Sequence, residues 1–468
     1  MAHVTMLGRQ GIIPVESARA IVAELNQLHE EHAAGAWDLG FEQEDVHMNV
    51  EAELIKRLGM ETGGRMHTCR SRNDQVVLDS KLYTRRRQLE LRQRVVDAVE
   101  ALVRRSEAYL EKEMPSYTHF QHAQPVSIAF WLSHYAAVLL RDTTRLKAAY
   151  DTTDQNPLGA GAISGTSFPI DRALTSRLMG FQVVHEHAMD ATAAKDYVWE
   201  ATTTAAYVAN SLSRLAEEFI LFSSYEYRTL TMDDGFAMGS SMMPQKKNPG
   251  CLELVRGRCA RLSGYAAASL MLTKGLPSAY NRDFHEEKEL VIKSLSLVND
   301  MVEVIPPLVA STQINETRMA ELCYGNFGNA TEVANYLVAK HGVPFRESHH
   351  IVGSLVGELS RRGENFSNFD FAQAHLRAKG IEAPEDELRA VLEPRRVMLS
   401  YNSRGGTGPA AVRQMLDDFR RQAADAQATL DADRQRVDGA HSAVRALAAE
   451  IKAVQSADDI GKLVEKHF

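Results

Sequence analysis

Apolar residues recur every three or four positions over long stretches of the sequence, and this spacing limits the possible folds more than any other feature. Such spacing places the apolar side chains on one face of an α-helix. Alternation of strands with helices, which would indicate a parallel sheet, is absent. The sequence therefore predicts an all-α fold. The longest predicted helices cover residues 91–113, 127–150, 196–229, 250–274 and 287–318.

Two of these helices are apolar on more than one face. Residues 196–229 include the run Ala201–Val208, and residues 250–274 include the run Tyr265–Leu270. A helix that is apolar all round has to be buried. We therefore expect both helices to pack between subunits.

Glycine-rich breaks divide the sequence into three predicted domains. Gly63 and Gly64 mark one break, and residues 324–329 mark another. We predict an N-terminal helical domain over residues 1–70, a central helix-bundle domain over 71–325 and a C-terminal helical domain over 326–468. The last domain ends in an added charged, amphipathic helix from about residue 430, for which we expect a role in packing or in oligomer contact.

Composition excludes several classes of function. The chain has 468 residues and a net charge of −8, so it lacks the basic surface of a nucleic-acid-binding protein. No apolar run approaches the ~20 residues needed to span a bilayer, and no leader peptide is evident. Four cysteines without Cys-x-x-Cys spacing argue against a zinc site or disulfide framework. We predict a cytoplasmic protein with no metal and no cofactor.

A polar, cationic loop is the most informative segment for function. Residues Gly239–Pro249 read GSSMMPQKKNP, with two serines, two lysines and an asparagine between glycine and proline. Serine and asparagine favour turns, and Pro249 suits the start of a helix. This composition predicts a mobile lid over an anionic substrate.

The loop closely resembles the signature loop of the aspartase, fumarase and argininosuccinate lyase superfamily, and its QKKNP ending is most similar to the argininosuccinate lyase branch. The segment MHTCRSRNDQ at 66–75 resembles the first signature of that branch, and YTHFQHAQP at 117–125 resembles the second. Similarity continues through PLGAGA at 157–162 and KGLPSAYN at 274–281. The resemblance implies a homotetramer with a shared central bundle of long helices and active sites at subunit junctions.

The resemblance also implies a carbon–nitrogen lyase that splits an N-substituted L-aspartate into fumarate and an amine by base-catalysed anti β-elimination. That reaction needs a base for an unactivated C–H, stabilisation of an aci-carboxylate and an acid for the amine. Ser240 or Ser241 is the predicted base, with Ser240 ranked first as in the family. His119 is the predicted acid, oriented by Glu253, and Lys246 is predicted to stabilise the carboxylate.

The remaining site residues are predicted contacts to the substrate. Arginine suits this duty because its planar fork binds a carboxylate with two hydrogen bonds. The resemblance implies a grip on the succinyl end at the first two signatures and further contacts to the substrate near residues 280–288. The predicted substrate-binding residues are Ser71, Arg72, Asn73, Thr118, Gln121, Met243, Asn248, Tyr280, His285 and Lys288.

Departures from the family pattern fall on the amine side. His285 replaces a glutamine, Lys195 replaces an arginine, Gly250 replaces an aspartate, and the sequence begins later than a typical member, without its Trp-Gly-Gly-Arg-Phe opening. Argininosuccinate remains one candidate substrate, because it is the most frequent substrate of the family that the chain resembles. An aminopolycarboxylate such as ethylenediamine disuccinate, handled in either direction, is the other.

A third interpretation belongs to another class. The family includes lens crystallins, so the chain could be a non-catalytic structural relative; the presence of every predicted proton-transfer residue favours an enzyme. The Lys246-Lys247-Asn248 sequence fits a hydro-lyase of the fumarase kind less well. We interpret the segment Gly159–Gly165 as a tight loop, because its spacing does not fit a dinucleotide-binding fingerprint.

Overall fold

The computed structural model describes residues 1–468, and helices make up most of the chain. The predicted all-α class is confirmed. The β-structure is limited to four two-stranded ladders. None of the helices is both long enough and apolar enough to cross a membrane.

The N-terminal helices form a small cluster with the far end of the chain. Leu7, Ile21 and Leu54 share a buried core with Ile460 and Val464. A 3-10 turn follows this cluster and leads into the central helices. The four helices are α1 (Ala2–Arg9), α2 (Val15–Ala33), α3 (Val46–Leu58) and α4 (Met60–Gly63), and the turn is Gly64–His67.

Long central helices build the largest core, which contains 45 buried residues. The central helices are α5 (Arg72–Glu107), α6 (Ile128–Thr153), α7 (Arg172–Leu178), α8 (Ala188–Ala193), α9 (Asp196–Ser223), α10 (Gly250–Leu272), α11 (Glu287–Glu303), α12 (Ile305–Ser311) and α13 (Glu316–Tyr324). The ladders between them pair β1 (Glu113–Thr118) with β2 (Gln121–Ser127), β3 (Gln155–Asn156) with β4 (Val183–Val184), β5 (Leu230–Thr231) with β8 (Gln313–Ile314), and β6 (Met238–Gly239) with β7 (Lys247–Asn248).

The C-terminal helices divide into two groups. The first group has its own core around Leu337, Leu355 and Leu376. The second group returns along α5 and α6 to the N-terminal cluster. The helices are α14 (Ala330–His341), α15 (Phe345–Arg361), α16 (Phe369–Ala378), α17 (Glu385–Leu392), α18 (Pro394–Ser400), α19 (Pro409–Glu450) and α20 (Ala457–His467).

Buried ion pairs fasten α19 to the central helices. Asp433 of α19 accepts a hydrogen bond from Arg92 of α5 at 2.7 Å and pairs with Arg436 at 2.9 Å. Arg436 in turn pairs with the fully buried Asp154 at 2.7 Å. The predicted start of an added helix near residue 430 is wrong, since α19 is continuous from Pro409 to Glu450. The packing expected of this segment agrees with these ion pairs.

Two predicted helices end earlier in the structure than their apolar spacing indicates. The predicted helix over 91–113 is the second half of α5, which ends at Glu107, and the chain turns there before it forms strand β1. The predicted helix over 287–318 breaks near residue 304, because Pro306 and Pro307 occupy the first turn of α12. Proline lacks the N–H that a helix interior requires and disfavours helical geometry at the preceding residue. The predicted domain boundaries near residues 70 and 325 fall between helices, and the division remains a prediction.

Candidate active site

The start of α5, residues 71–75, is fixed by a buried carboxylate. Asp74 is fully buried, and its Oδ2 accepts hydrogen bonds from the backbone N–H groups of Gly159 and Gly161 at 3.0 and 2.9 Å. Its Oδ1 accepts one from the N–H of Ser71 at 3.2 Å, and the Ser71 hydroxyl caps the helix. Burial raises the pKa of Asp74, although these three N–H donors work against the shift. The α5 start and the predicted tight loop at 159–165 therefore form one unit.

The predicted grip on the substrate extends from this unit. The Asn73 side chain donates a hydrogen bond to the carbonyl of Ala162 at 3.2 Å. Arg72 pairs through Nε with Asp45, the N-cap of α3, at 2.9 Å and donates to Gln75 at 3.0 Å. A substrate carboxylate at Arg72 would therefore compete with Asp45, a residue that sequence spacing alone did not single out.

His119 lies at the tip of the β1–β2 hairpin in an unusual backbone conformation. Thr118 pairs with Gln121, and the two residues between them, His119 and Phe120, have φ angles of 55° and 58°. Two consecutive residues with positive φ form a type I′ turn, which costs non-glycine residues free energy. All four residues are exposed. The predicted acid is thus displayed on a strained turn with no hydrogen bond to its ring.

The loop of residues 239–249, hereafter the signature loop, is a short hairpin that bonds mainly to itself. Gly239 pairs with Lys247 across the β6–β7 ladder. The Ser240 hydroxyl oxygen accepts hydrogen bonds from the N–H groups of Met242 and Met243 at 3.2 and 2.9 Å. N–H donors directed at an oxygen favour its charged form. No such donors reach the Ser241 hydroxyl.

The other predicted residues of the signature loop face outward. Lys246 and Met243 are exposed, and Asn248 is half-buried. Glu253 is exposed on the first turn of α10, which begins at Gly250. No hydrogen bond joins Glu253 to His119 within the protomer. The predicted pairing of these two side chains therefore remains a prediction.

The segment from residue 280 to 288 places three predicted contacts along a 3-10 turn, Arg282–Glu286, and the start of α11. The Tyr280 ring packs edge-on against Phe284 and His285, with centroid distances of 5.9 and 6.3 Å. Lys288 is exposed. Desolvation, followed by the charges of Lys288 and Arg282, lowers the pKa of His285. Its ring is therefore biased toward the neutral form, which can accept a hydrogen bond.

Two of the unusual amine-side positions are occupied by intramolecular contacts. Lys195 is buried, and its Nζ lies 2.9 Å from Glu287 Oε2. Gly250 leaves room for Met238, since a Cβ atom at residue 250 would lie 2.3 Å from the Met238 sulfur. Neither position presents a free polar group to a substrate.

Within one protomer the three signature segments are not bonded to one another. No hydrogen bond or ion pair joins the α5 start, the hairpin tip and the signature loop to one another. Each segment carries a group that can bind or protonate an anionic substrate. The α5 start carries the guanidinium of Arg72, the hairpin tip carries the imidazole of His119, and the signature loop carries two lysines.

Comparison with known proteins identifies relatives over most of the chain. Residues 4–264 match the protein family described as Lyase, and residues 327–398 match the family described as Argininosuccinate lyase C-terminal. Argininosuccinate lyase of Anoxybacillus flavithermus is 40% identical over 417 residues, covering 89% of this chain and 90% of that protein. Argininosuccinate lyase of Desulforamulus reducens is 39% identical over 416 residues, covering 89% of both chains.

A solved structure resembles the whole chain. The crystal structure of EDDS lyase in complex with formate aligns with a TM-score of 0.86 and 27% sequence identity. The alignment covers 100% of this chain and 90% of that chain, so it includes the C-terminal helices.

Proposed function

The chain belongs to the argininosuccinate lyase branch of the fumarate lyase superfamily, and we propose that its first-choice substrate is argininosuccinate. It is a carbon–nitrogen lyase that releases fumarate from an N-substituted aspartate. The observation that carries the proposed mechanism is the pair of backbone N–H groups on Ser240 Oγ.

Ser240 acts as the base. Two N–H donors offset the charge of its alkoxide, and Lys246 adds a positive charge to the same loop. The alkoxide removes a proton from the carbon next to the distal carboxylate of the substrate. The electron pair enters that carboxylate as an aci-carboxylate and then forms the C=C bond of fumarate as the C–N bond breaks.

His119 acts as the acid for the departing amine. An imidazole can hold and release a proton near neutral pH. The turn of the β1–β2 hairpin exposes His119 to solvent, so the His119 ring is available to a substrate bound against another segment. Glu253 orients its ring in the assembled site.

Positive and polar groups bind the two carboxylates. Arg72 supplies a planar fork for one carboxylate, and Lys246 stabilises the other as its negative charge grows. These interactions are strongest in the transition state, which is where they lower the barrier. Further contacts come from Ser71, Asn73, Thr118, Gln121, Met243 and Asn248.

Tyr280, His285 and Lys288 contact the amine portion of the substrate. The higher identity to argininosuccinate lyases favours argininosuccinate. A second candidate is an aminopolycarboxylate, because the alignment with EDDS lyase extends over the C-terminal helices and because His285 replaces the glutamine of the family pattern. A neutral imidazole at residue 285 can accept a hydrogen bond from an ammonium group of such a substrate.

Assembly into a homotetramer brings the segments together. The outward face of α10 exposes Leu254, Leu270 and Met271, each more than half exposed in the protomer. Large apolar side chains exposed on a helix are candidates for burial against another subunit. Packing of these faces between subunits would bring the α5 start of one chain near the signature loop of another.

Fumarate formation, followed by absorbance, tests the proposed substrate. The panel contains argininosuccinate, ethylenediamine disuccinate, simpler N-substituted aspartates and L-aspartate. We expect fumarate from argininosuccinate, with the Ser240→Ala variant as the inactive control. Fumarate only from ethylenediamine disuccinate would instead establish the second candidate.

A further inference from the structure

The buried ion pair between Lys195 and Glu287 lies beneath the amine-side segment. Lys195 directly precedes α9, and Glu287 is the first residue of α11. Their side chains are only 2% and 3% exposed, and Lys195 Nζ lies 2.9 Å from Glu287 Oε2. The other carboxylate oxygen accepts a hydrogen bond from the Tyr197 hydroxyl at 3.2 Å.

Lys195 also contacts the buried side of the 3-10 turn Arg282–Glu286. Its Nζ lies 5.0 Å from the centre of the Phe284 ring, a distance suited to a cation–π contact. Lys195 therefore holds the residues on both sides of His285, namely Phe284 before it and Glu287 after it. Those two side chains point inward, whereas His285 is half-buried and Lys288 is exposed.

We infer that Lys195 is a positioning residue that sets the selectivity for the amine: through Phe284 and Glu287 it fixes the turn that presents His285 and Lys288 to the substrate. This inference rests on the proposed function. Lys195 is buried behind these residues, so its influence on the amine is indirect. The other half of the substrate is bound by segments that Lys195 does not contact.

The reverse reaction allows binding of the amine and binding of fumarate to be measured separately. Addition of an amine to fumarate gives one KM for the amine and another for fumarate. In the Lys195→Met variant we expect the KM for the amine to rise by about ten- to a hundredfold, because small displacements of binding groups have effects of this size. The KM for fumarate should change less than about threefold, since the succinyl grip is untouched.

Three further variants test the mechanism of this effect. Lys195→Arg keeps the charge and should restore most of the amine affinity. Lys195→Met combined with Glu287→Gln should shift the amine KM less than the sum of the single changes, because it leaves no lone buried charge. Lys293→Met removes an exposed ion pair from the same helix and should leave both KM values unchanged.

An equal change in both KM values, or no change in either, would overturn the inference. If Lys195→Met does not fold, Glu287→Asp decides the question, because a side chain shorter by one methylene withdraws the carboxylate from Lys195. An unchanged ratio of the two KM values would then contradict the inference. A wild-type protein that neither forms nor consumes fumarate would instead refute the proposed function itself.

Discussion

The α5 start and the signature loop both carry family motifs, but the structure holds them in opposite ways. Asp74 anchors the α5 start through three backbone N–H groups while fully buried. The signature loop is largely exposed, and its hydrogen bonds run mostly within the loop. The α5 start is thus anchored within the protomer, whereas the signature loop is held mainly by its own hydrogen bonds.

This difference separates stability from turnover. Residues of the exposed loop can change with little cost to folding, because few contacts depend on them. Residues beneath the α5 start cannot change without a larger cost to folding, because buried hydrogen bonds depend on them. Substitutions in the two regions should therefore produce distinct combinations of effects on kcat and on the free energy of unfolding.

The largest expected effect is on turnover in the signature loop. Ser240→Ala should lower kcat by about a thousandfold, because a positioned base contributes on that order. The free energy of unfolding should stay within about 0.5 kcal/mol of wild type, as for other exposed substitutions. Steady-state kinetics and urea denaturation measure both quantities. Ser241→Ala is the matched control, and an equal or greater loss of kcat in that variant would assign the base to Ser241.

His119→Asn should have the next largest effect. Asparagine tolerates the left-handed backbone of this turn, so the hairpin should fold normally. Loss of the acid should lower kcat by about a hundredfold. The loss should be greatest for amines that leave poorly, which a series of substrates with different amine pKa values can measure. Wild-type turnover in this variant would place the acid elsewhere.

Asp74→Asn should affect both stability and activity. An asparagine side chain cannot accept all three N–H bonds, because one of its terminal atoms is a donor. We expect the free energy of unfolding to fall by about 1–3 kcal/mol, the cost of an unsatisfied buried group, together with a higher KM for the substrate. Asp79→Asn is a control on the same helix, since Asp79 is exposed in a surface pair with His47. Equal stability of both variants would contradict the anchoring role.

The smallest effect concerns a buried cation on α5. Burial lowers the pKa of Lys81 to about 8 from 10.5, while Asp196 opposes and Lys195 adds to the shift. Below pH 8 both folded and unfolded chains keep the proton, so the cost of burying the charge is fully present. Between pH 8 and about 10.5 the folded chain releases its proton first, and the cost fades.

Lys81→Met should therefore raise the free energy of unfolding at pH 7. The variant also loses the contact with the Tyr197 ring, so the net gain should be about 1–2 kcal/mol. The gain should shrink as the pH approaches 10. Urea denaturation of both proteins at pH 7 and pH 9.5 measures the difference. A variant that is less stable at pH 7, with no dependence on pH, would show that Lys81 is favourable where it lies.

Local features of the sequence predicted much of this arrangement. The helices over residues 127–150 and 250–274 are close to α6 and α10, because apolar spacing along one segment determines them. The prediction of a tight loop at 159–165 also agrees with the structure. Prolines at residues 306 and 307 were a visible signal of a helix break that the apolar spacing outweighed.

Contacts between distant segments could not be predicted in this way. Asp74 binds the amides of Gly159 and Gly161, and Lys195 pairs with Glu287 across 92 positions of the sequence. Nothing in the spacing of a single chain specifies such partners. The left-handed turn at His119 could not be predicted from the sequence for a related reason. The paired strands on either side of the turn impose a backbone conformation that histidine rarely adopts alone.

A mixed-subunit assay tests the central claim, that the separated segments form an active site between chains. His119→Asn and Ser240→Ala subunits, each with about a hundredth of wild-type turnover or less, are refolded together in equal amounts and assayed for fumarate release. If each site takes these residues from different subunits, random assembly should restore about a quarter of wild-type activity. No recovery in a verified mixed oligomer would contradict the account and would require both residues to act from one chain.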